Sequence, residues 1–302
     1  MKKIVCCLLL LFVGCAKSIA ATDQQNVIAL ADKQRESVMK ETRAATYFVY
    51  SDRSDPRYIF DEEQPENVTD EHVFLDAVRK ILPTGTAFGV NAKGLIVTAA
   101  HVITMSYCTS KKILFTPGDP EELLHPEGIK RKAKTTETYC TLITPTYQKA
   151  FRAKVVFIDE REGVDTALLQ IVDPPKNLPY LQLATTEELH EGAEVFTLGA
   201  PRGDLNLTTF GIVSNIDYPK SRDNPIRVIR FQGLIQPGNS GGALVSSATG
   251  KVVGMVNERS YVPAIAPMPD KRLGVAQIST GMANAIRADT IANVLKKFAE
   301  AK

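Results

Sequence analysis

From Thr84 onward the apolar residues fall into short runs separated by glycine, proline and charged clusters. The runs cover 85–90, 95–99, 112–115, 140–143, 153–158 and 167–172, then 195–198, 208–216, 226–232, 242–246, 252–257 and 273–278. They are rich in Val, Ile, Leu and Thr, and turn residues bound them, so each predicts a β-strand. Strands in this number, with few helices between them, predict an all-β sandwich or a pair of barrels. The proline-rich segment 173–179 divides them into two halves. A cleft between two such halves is a common place for a site.

Other stretches carry a different period. In 283–301, Ile286, Ile291, Val294, Leu295 and Phe298 form one apolar stripe and predict a C-terminal helix. In 70–82, Val73, Phe74, Ala77, Val78, Ile81 and Leu82 do the same; Thr69 or Asp70 caps that helix and Pro83 ends it. Residues 23–46 are polar and weakly helical, and 52–69 read as a loop. Together 21–82 form an N-terminal helical and loop extension ahead of the main domain at 83–302.

At the start, Met1-Lys2-Lys3 precedes the apolar run 4–13, which is too short to span a bilayer. Small residues follow, as in a secretory signal, and Ser18-Ile19-Ala20 places the cut after Ala20, giving a signal peptide at 1–20. Phe12-Val13-Gly14-Cys15 also resembles a lipobox, so lipidation of Cys15 is the alternative, and only that outcome implies a membrane anchor. The expected location is the periplasm or the medium. Export leaves Cys108 and Cys140, which either pair, closing a loop of about thirty residues, or stay as separate thiols.

Composition excludes little. Of 302 residues, 44% are hydrophobic and 23% charged, with a net charge of +2. That balance demands neither nucleic acid nor an anionic membrane as partner, and Lys130-Arg131-Lys132 reads as a solvated loop. The histidines and cysteines show no metal-ligand spacing, and no cofactor is expected.

The chemistry gathers around Pro237-Gly238-Asn239-Ser240-Gly241-Gly242. Glycines on both sides free the backbone, so the serine hydroxyl stands clear and successive N–H groups converge on one point. Alone, the segment reads equally as a turn between strands. Two companions change that. His101 follows an apolar strand and two small alanines, and Asp165 stands directly before the strand 167–172. The order His, Asp, Ser, with the first two in one half and Ser in the other, is that of the chymotrypsin-type triad.

Thr98-Ala99-Ala100-His101-Val102, Asp165-Thr166-Ala167-Leu168-Leu169 and Gly238-Asn239-Ser240-Gly241-Gly242 resemble the three signature blocks of trypsin-like serine proteases, closest to their bacterial HtrA/Deg-like branch. Thr86-Ala87-Phe88-Gly89-Val90 resembles the family's opening strand, and Leu198-Gly199-Ala200-Pro201 with Gly211-Ile212-Val213-Ser214 its second-barrel hairpin. The resemblance implies two six-stranded antiparallel β-barrels, at about 84–173 and 184–286, and hydrolysis of polypeptide substrates. It implies Ser240 as nucleophile, His101 as base and acid, Asp165 as its orienting partner, and the N–H groups of Gly238 and Ser240 as the oxyanion hole.

Departures narrow the resemblance. Asn239 stands where digestive members of the family carry an aspartate that pairs with a freed N-terminal amine, so that activation is not expected. Leu234 occupies the position at the base of the primary specificity pocket, which predicts a small or aliphatic residue before the scissile bond. Segments 104–150 and 258–272 are longer than in compact members and read as loops beside the site. No PDZ-like module follows Ala301, so HtrA-style peptide sensing is not expected. A second reading, from a different class, is a silent protease-fold module that binds peptide or protein.

Overall fold

The computed structural model describes residues 32–50, 83–104, 139–146, 148–201, 206–221, 224–267 and 273–301. The expected signal peptide, the helix expected at 70–82, the strand expected at 112–115, Cys108 and the basic cluster lie outside these residues. Residues 32–44 are helical.

Among the described residues, twelve strands form two closed antiparallel barrels. The first contains β1 (Thr46–Tyr50), β2 (Gly85–Gly89), β3 (Leu95–Ala99), β4 (Tyr139–Ile143), β5 (Ala150–Asp159) and β6 (Thr166–Ile171). Their order is β1-β2-β3-β6-β5-β4, closed where Val49 pairs with Leu142. The second contains β7 (Glu194–Gly199), β8 (Leu207–Ser221), β9 (Asn224–Gly233), β10 (Ala243–Ser246), β11 (Val252–Pro267) and β12 (Leu273–Arg287). It runs β10-β11-β12-β9-β8-β7 and closes where Leu244 pairs with Thr197. Closure removes the sheet edges that would otherwise stand open.

Each barrel is filled by its own side chains. Phe48, Phe88, Leu142 and Leu168 are fully buried in the first, and Val195, Phe231, Leu244 and Val256 cluster in the second. The helix Ala288–Glu300 buries Ala288, Ile291 and Val294 on one face, and the Phe298 ring meets Phe157 of β5 edge-on at 6.5 Å. The last element of the chain thereby packs on the first barrel.

Three boundaries differ from the sequence reading. β1 lies inside the stretch read as an extension, because Thr46–Tyr50 is wholly buried once β2 and β4 pair with it. Residues 283–287, read as helix, end β12; Ala283 opposes Phe231 and Ala285 opposes Ile229, so two neighbouring strands claim them. Most of 258–272, read as a loop, is a two-stranded ribbon in which Val262 opposes Ile278 and Ile265 opposes Val275. Among the described residues, this part of β11 pairs only with β12. Such an edge tolerates Pro263 and Pro267, whose missing N–H groups need not serve the ladder.

Candidate active site

His101 is the second residue of the short helix Ala100–Thr104, which continues directly from β3. β3 sits between β2 and β6, so pairing on both sides fixes where that helix begins. Ala99 and Ala100 are fully buried and bring the backbone close to the Asp165 turn. There the Ala100 N–H donates to the Asp165 carbonyl at 3.0 Å.

Asp165 ends a tight turn. The N–H groups of Val164 and Asp165 both donate to the Arg161 carbonyl, at 2.9 and 3.0 Å. Gly163 and Asp165 take φ of +77° and +33°, and for Asp165 this is the left-handed region that favours glycine. Arg161 is anchored in turn by Asp159: its Nε and a terminal nitrogen meet the two carboxylate oxygens at 2.8 and 2.5 Å. That pairing, helped by the Arg161 N–H, holds the Asp159 carboxyl below the usual carboxylate range.

The histidine and the aspartate are joined twice. His101 Nδ1 lies 2.6 Å from Asp165 Oδ2, and the His101 N–H donates to Oδ1 at 2.9 Å. An ionised carboxylate only accepts, so Nδ1 carries the hydrogen and Nε2 of a neutral ring is left as an acceptor. Both side chains are partly buried, 28% and 17% exposed.

Ser240 lies across the barrel interface on the turn before β10. Gly238 takes φ of +105° and Gly241 +82°. A Cβ at Gly238 would stand 2.1 Å from the Ala200 carbonyl oxygen, and one at Gly241 2.2 Å from the Thr86 oxygen, so neither position accepts a side chain. Thr86 of β2 ties the turn to the first barrel at two points. Its N–H donates to the Ser240 carbonyl at 2.9 Å and its hydroxyl to the Gly238 carbonyl at 2.7 Å. The N–H groups of Asn239, Gly241 and Gly242 are also engaged, with Gln236, Val256 and Asn239 carbonyls. Among the described residues, no hydrogen bond uses the N–H of Gly238 or Ser240. The Asn239 carbonyl accepts from Gly242 inside the turn, so the Ser240 N–H, on the opposite side of the same planar peptide, points away from it.

Asn257 joins the two halves of the arrangement. It is the extra residue of a bulge: Val256 opposes Ala285 and Glu258 opposes Asn284, leaving Asn257 without a partner on β12. Bulges re-aim side chains. Here the carboxamide Nδ2 donates to Asp165 Oδ2 and the backbone carbonyl accepts from Ser240 Oγ at 3.2 Å. The Ser240 hydroxyl is therefore turned toward Asn257 and makes no hydrogen bond to His101.

The remaining expected residues fall differently. Leu234, expected at the base of a pocket, is 77% exposed. Alternate residues of this segment point opposite ways, and Ile235 takes the inward place, 5% exposed within the second barrel's core. Asn239 is 1% exposed, and among the described residues neither polar atom of its carboxamide has a hydrogen-bond partner. Cys140 is buried on β4, opposite Ala153, while its expected partner lies outside the described residues. Thr86 and Asn257 escaped the sequence reading. Asn257 had a signal, a polar residue ending an apolar run. For Thr86 only the fold reveals the turn above it.

A family model of the trypsin-like peptidase domain matches residues 85–255. The chain is 29% identical over 219 residues to serine protease HTRA1B of Danio rerio, covering 64% of this chain and 38% of that protein. It is 32% identical over 186 residues to a probable periplasmic serine endoprotease, DegP-like, of Pseudomonas fluorescens, covering 62% and 31%. To serine protease HTRA3 of Rattus norvegicus it is 26% identical over 221 residues, covering 72% and 38%. The chain thus spans between 31% and 38% of the length of these relatives.

Proposed function

The chain belongs to the trypsin-like peptidase family, and from that membership we propose that it is an exported serine endopeptidase working through Ser240, His101 and Asp165. The observation that carries the reading is the double tie between His101 and Asp165, which leaves Nε2 as the free acceptor.

Ser240 Oγ first leaves the Asn257 carbonyl and turns to His101 Nε2. It attacks the substrate carbonyl carbon while its proton passes to Nε2. Asp165 holds the imidazolium formed. The oxyanion is received by the N–H groups of Gly238 and Ser240, each worth about 3 kcal/mol in the transition state. His101 then gives its proton to the amine, the C–N bond breaks, and an ester remains on Oγ. Water attacks that ester, loses a proton to Nε2, and the proton returns to Oγ as the acid departs.

Substrate preference follows from what the segment before Ser240 offers. The exposed Leu234 supplies aliphatic surface and no carboxylate for Arg or Lys, so small or aliphatic residues are favoured before the scissile bond. Asn239 has no charge to pair with a freed amine, so activation does not depend on one. Export rests on the signal at 1–20, cut after Ala20, and accords with a relative described as periplasmic. In that compartment Cys108 and Cys140 pair.

The second reading, a silent module that binds peptide or protein, is favoured by one observation: the Ser240 hydroxyl rests on Asn257 and not on His101. A fluorophosphonate probe separates the two. Labelling of the wild type, absent in Ser240→Ala, supports the endopeptidase. A wild type that stays unlabelled, reduced or oxidised, leaves the binding module.

A further inference from the structure

The site depends on a bulge, and a bulge holds only as well as its flanks. On one side, Val256 is locked to the Ser240 turn: its carbonyl accepts from the Gly241 N–H and its N–H donates to the Gly242 carbonyl, both at 2.8 Å. On the other, Glu258 opposes Asn284 at the point where the ribbon begins. Its carboxylate is also gripped: Asn284 Nδ2 donates to Oε1 at 3.1 Å, and Lys220 Nζ lies 3.3 Å from the same oxygen. Lys220, near the end of β8, also reaches Glu162 Oε1 at 3.8 Å. Glu162 belongs to the turn that ends in Asp165. One cation of the second barrel therefore spans the residue after Asn257 and a residue just before Asp165. The Lys220 side chain is 20% exposed, and those of Glu258 and Glu162 are 42% and 55% exposed.

The apolar partner of this link is Ile226, at the start of β9. A Cβ added to Gly163 would stand 2.0 Å from Ile226 Cγ2, so the β8–β9 hairpin seats directly on the Asp165 turn. Glycine at 163 both permits φ of +77° and leaves room for that contact.

We propose that Lys220 is a positioning residue for the hydrolytic site, acting through Glu258 and Glu162 to hold the Asn257 bulge against the Asp165 turn. The inference rests on the endopeptidase reading for its kinetic consequence, but the geometry it asserts does not. Without the cation, two carboxylates remain beside the joint between the barrels. The bulge then shifts, and Asn257 leaves Asp165 Oδ2 before the fold is lost.

The test compares wild type with Lys220→Met, which keeps most of the stem, and Lys220→Arg, which keeps the charge. Labelling by a fluorophosphonate should slow about tenfold in Lys220→Met, a size typical of small misplacements near a site. Lys220→Arg should stay within about threefold of wild type, because the cation reaches both carboxylates. Thermal midpoints should agree within about two degrees. The low-field proton resonance of His101 Nδ1–H, read in the same proteins, should broaden or move in Lys220→Met and return in Lys220→Arg. An unchanged resonance and labelling rate in Lys220→Met overturns the inference, as does a loss that Lys220→Arg fails to restore. If wild type does not label at all, the endopeptidase reading fails, and the resonance alone still decides whether Lys220 positions the pair.

Discussion

Asn257 donates its carboxamide to Oδ2 of Asp165, the oxygen that also receives His101 Nδ1. One carboxylate oxygen thus takes a donor from each barrel. The arrangement orients Asp165 from two sides and leaves the imidazole one direction in which to lie. Because the Asn257 backbone carbonyl also accepts the Ser240 hydroxyl, a single bulged residue touches both Asp165 and Ser240.

Asn257→Leu keeps a similar volume and removes the donor. A hydrogen bond to a charged group is worth about 1.5–3 kcal/mol. If the bond acts in the transition state, kcat on a peptide substrate should fall between about tenfold and a hundredfold with KM little changed. A rise in KM at constant kcat would instead place Asn257 in substrate binding.

Thr86→Val tests the tie between the Ser240 turn and the first barrel. The swap removes the hydroxyl that holds the Gly238 carbonyl at 2.7 Å and leaves the Thr86 N–H on Ser240. Stability should drop by about 1 kcal/mol and labelling by a fluorophosphonate should slow. Thr98→Val is the control, since its hydroxyl bonds the Thr86 carbonyl and reaches no carbonyl of the turn. Equal slowing in both variants would mean that general loosening of the barrel, and no specific hold on Gly238, explains the effect.

The central residues were legible because their chemistry forces local patterns. A serine hydroxyl that must stand clear needs Gly238 and Gly241, whose φ values are costly for any side chain, and these mark the chain whatever the fold. His101 needs small neighbours, and two alanines show it. Most strands were legible through their apolar runs. What escaped depends on distant partners. Thr46–Tyr50 looks like an apolar scrap between a polar helix and an acidic loop until β2 and β4 close on it. The ribbon after Asn257 carries two prolines, which read as loop because the sequence does not reveal that this is an edge. Leu234 and Ile235 are equally aliphatic, and only the packing decides that Ile235 goes inward.

Gly238→Ala separates fold from chemistry. The added Cβ would strike the Ala200 carbonyl, and φ of +105° is costly for alanine, on the order of 1–3 kcal/mol. The turn relieves the clash by moving residue 238, and its N–H moves with it. Circular dichroism should report intact barrels while labelling of Ser240 falls by about two orders of magnitude, as for loss of one oxyanion donor. Full labelling by a variant that folds normally would remove the Gly238 N–H from the site.

Tyr47 gives the first barrel an alkaline limit. Its ring is buried among β1 and its neighbours, edge-on to Phe151 at 6.1 Å, and burial pushes the phenol up to about 12 from an ordinary 10.0. The neutral form is favoured in the folded chain, so this contribution is fully present below pH 10.0 and is lost as pH rises toward about 12. The unfolded chain loses its proton first and is drawn off by the solvent. A shift of that size corresponds to something on the order of 2–3 kcal/mol of stability across the window. Tyr47→Phe has no proton to lose, and its urea midpoint should fall less between pH 10 and 12 than that of wild type. Matching declines in the two proteins would assign the alkaline transition to other groups.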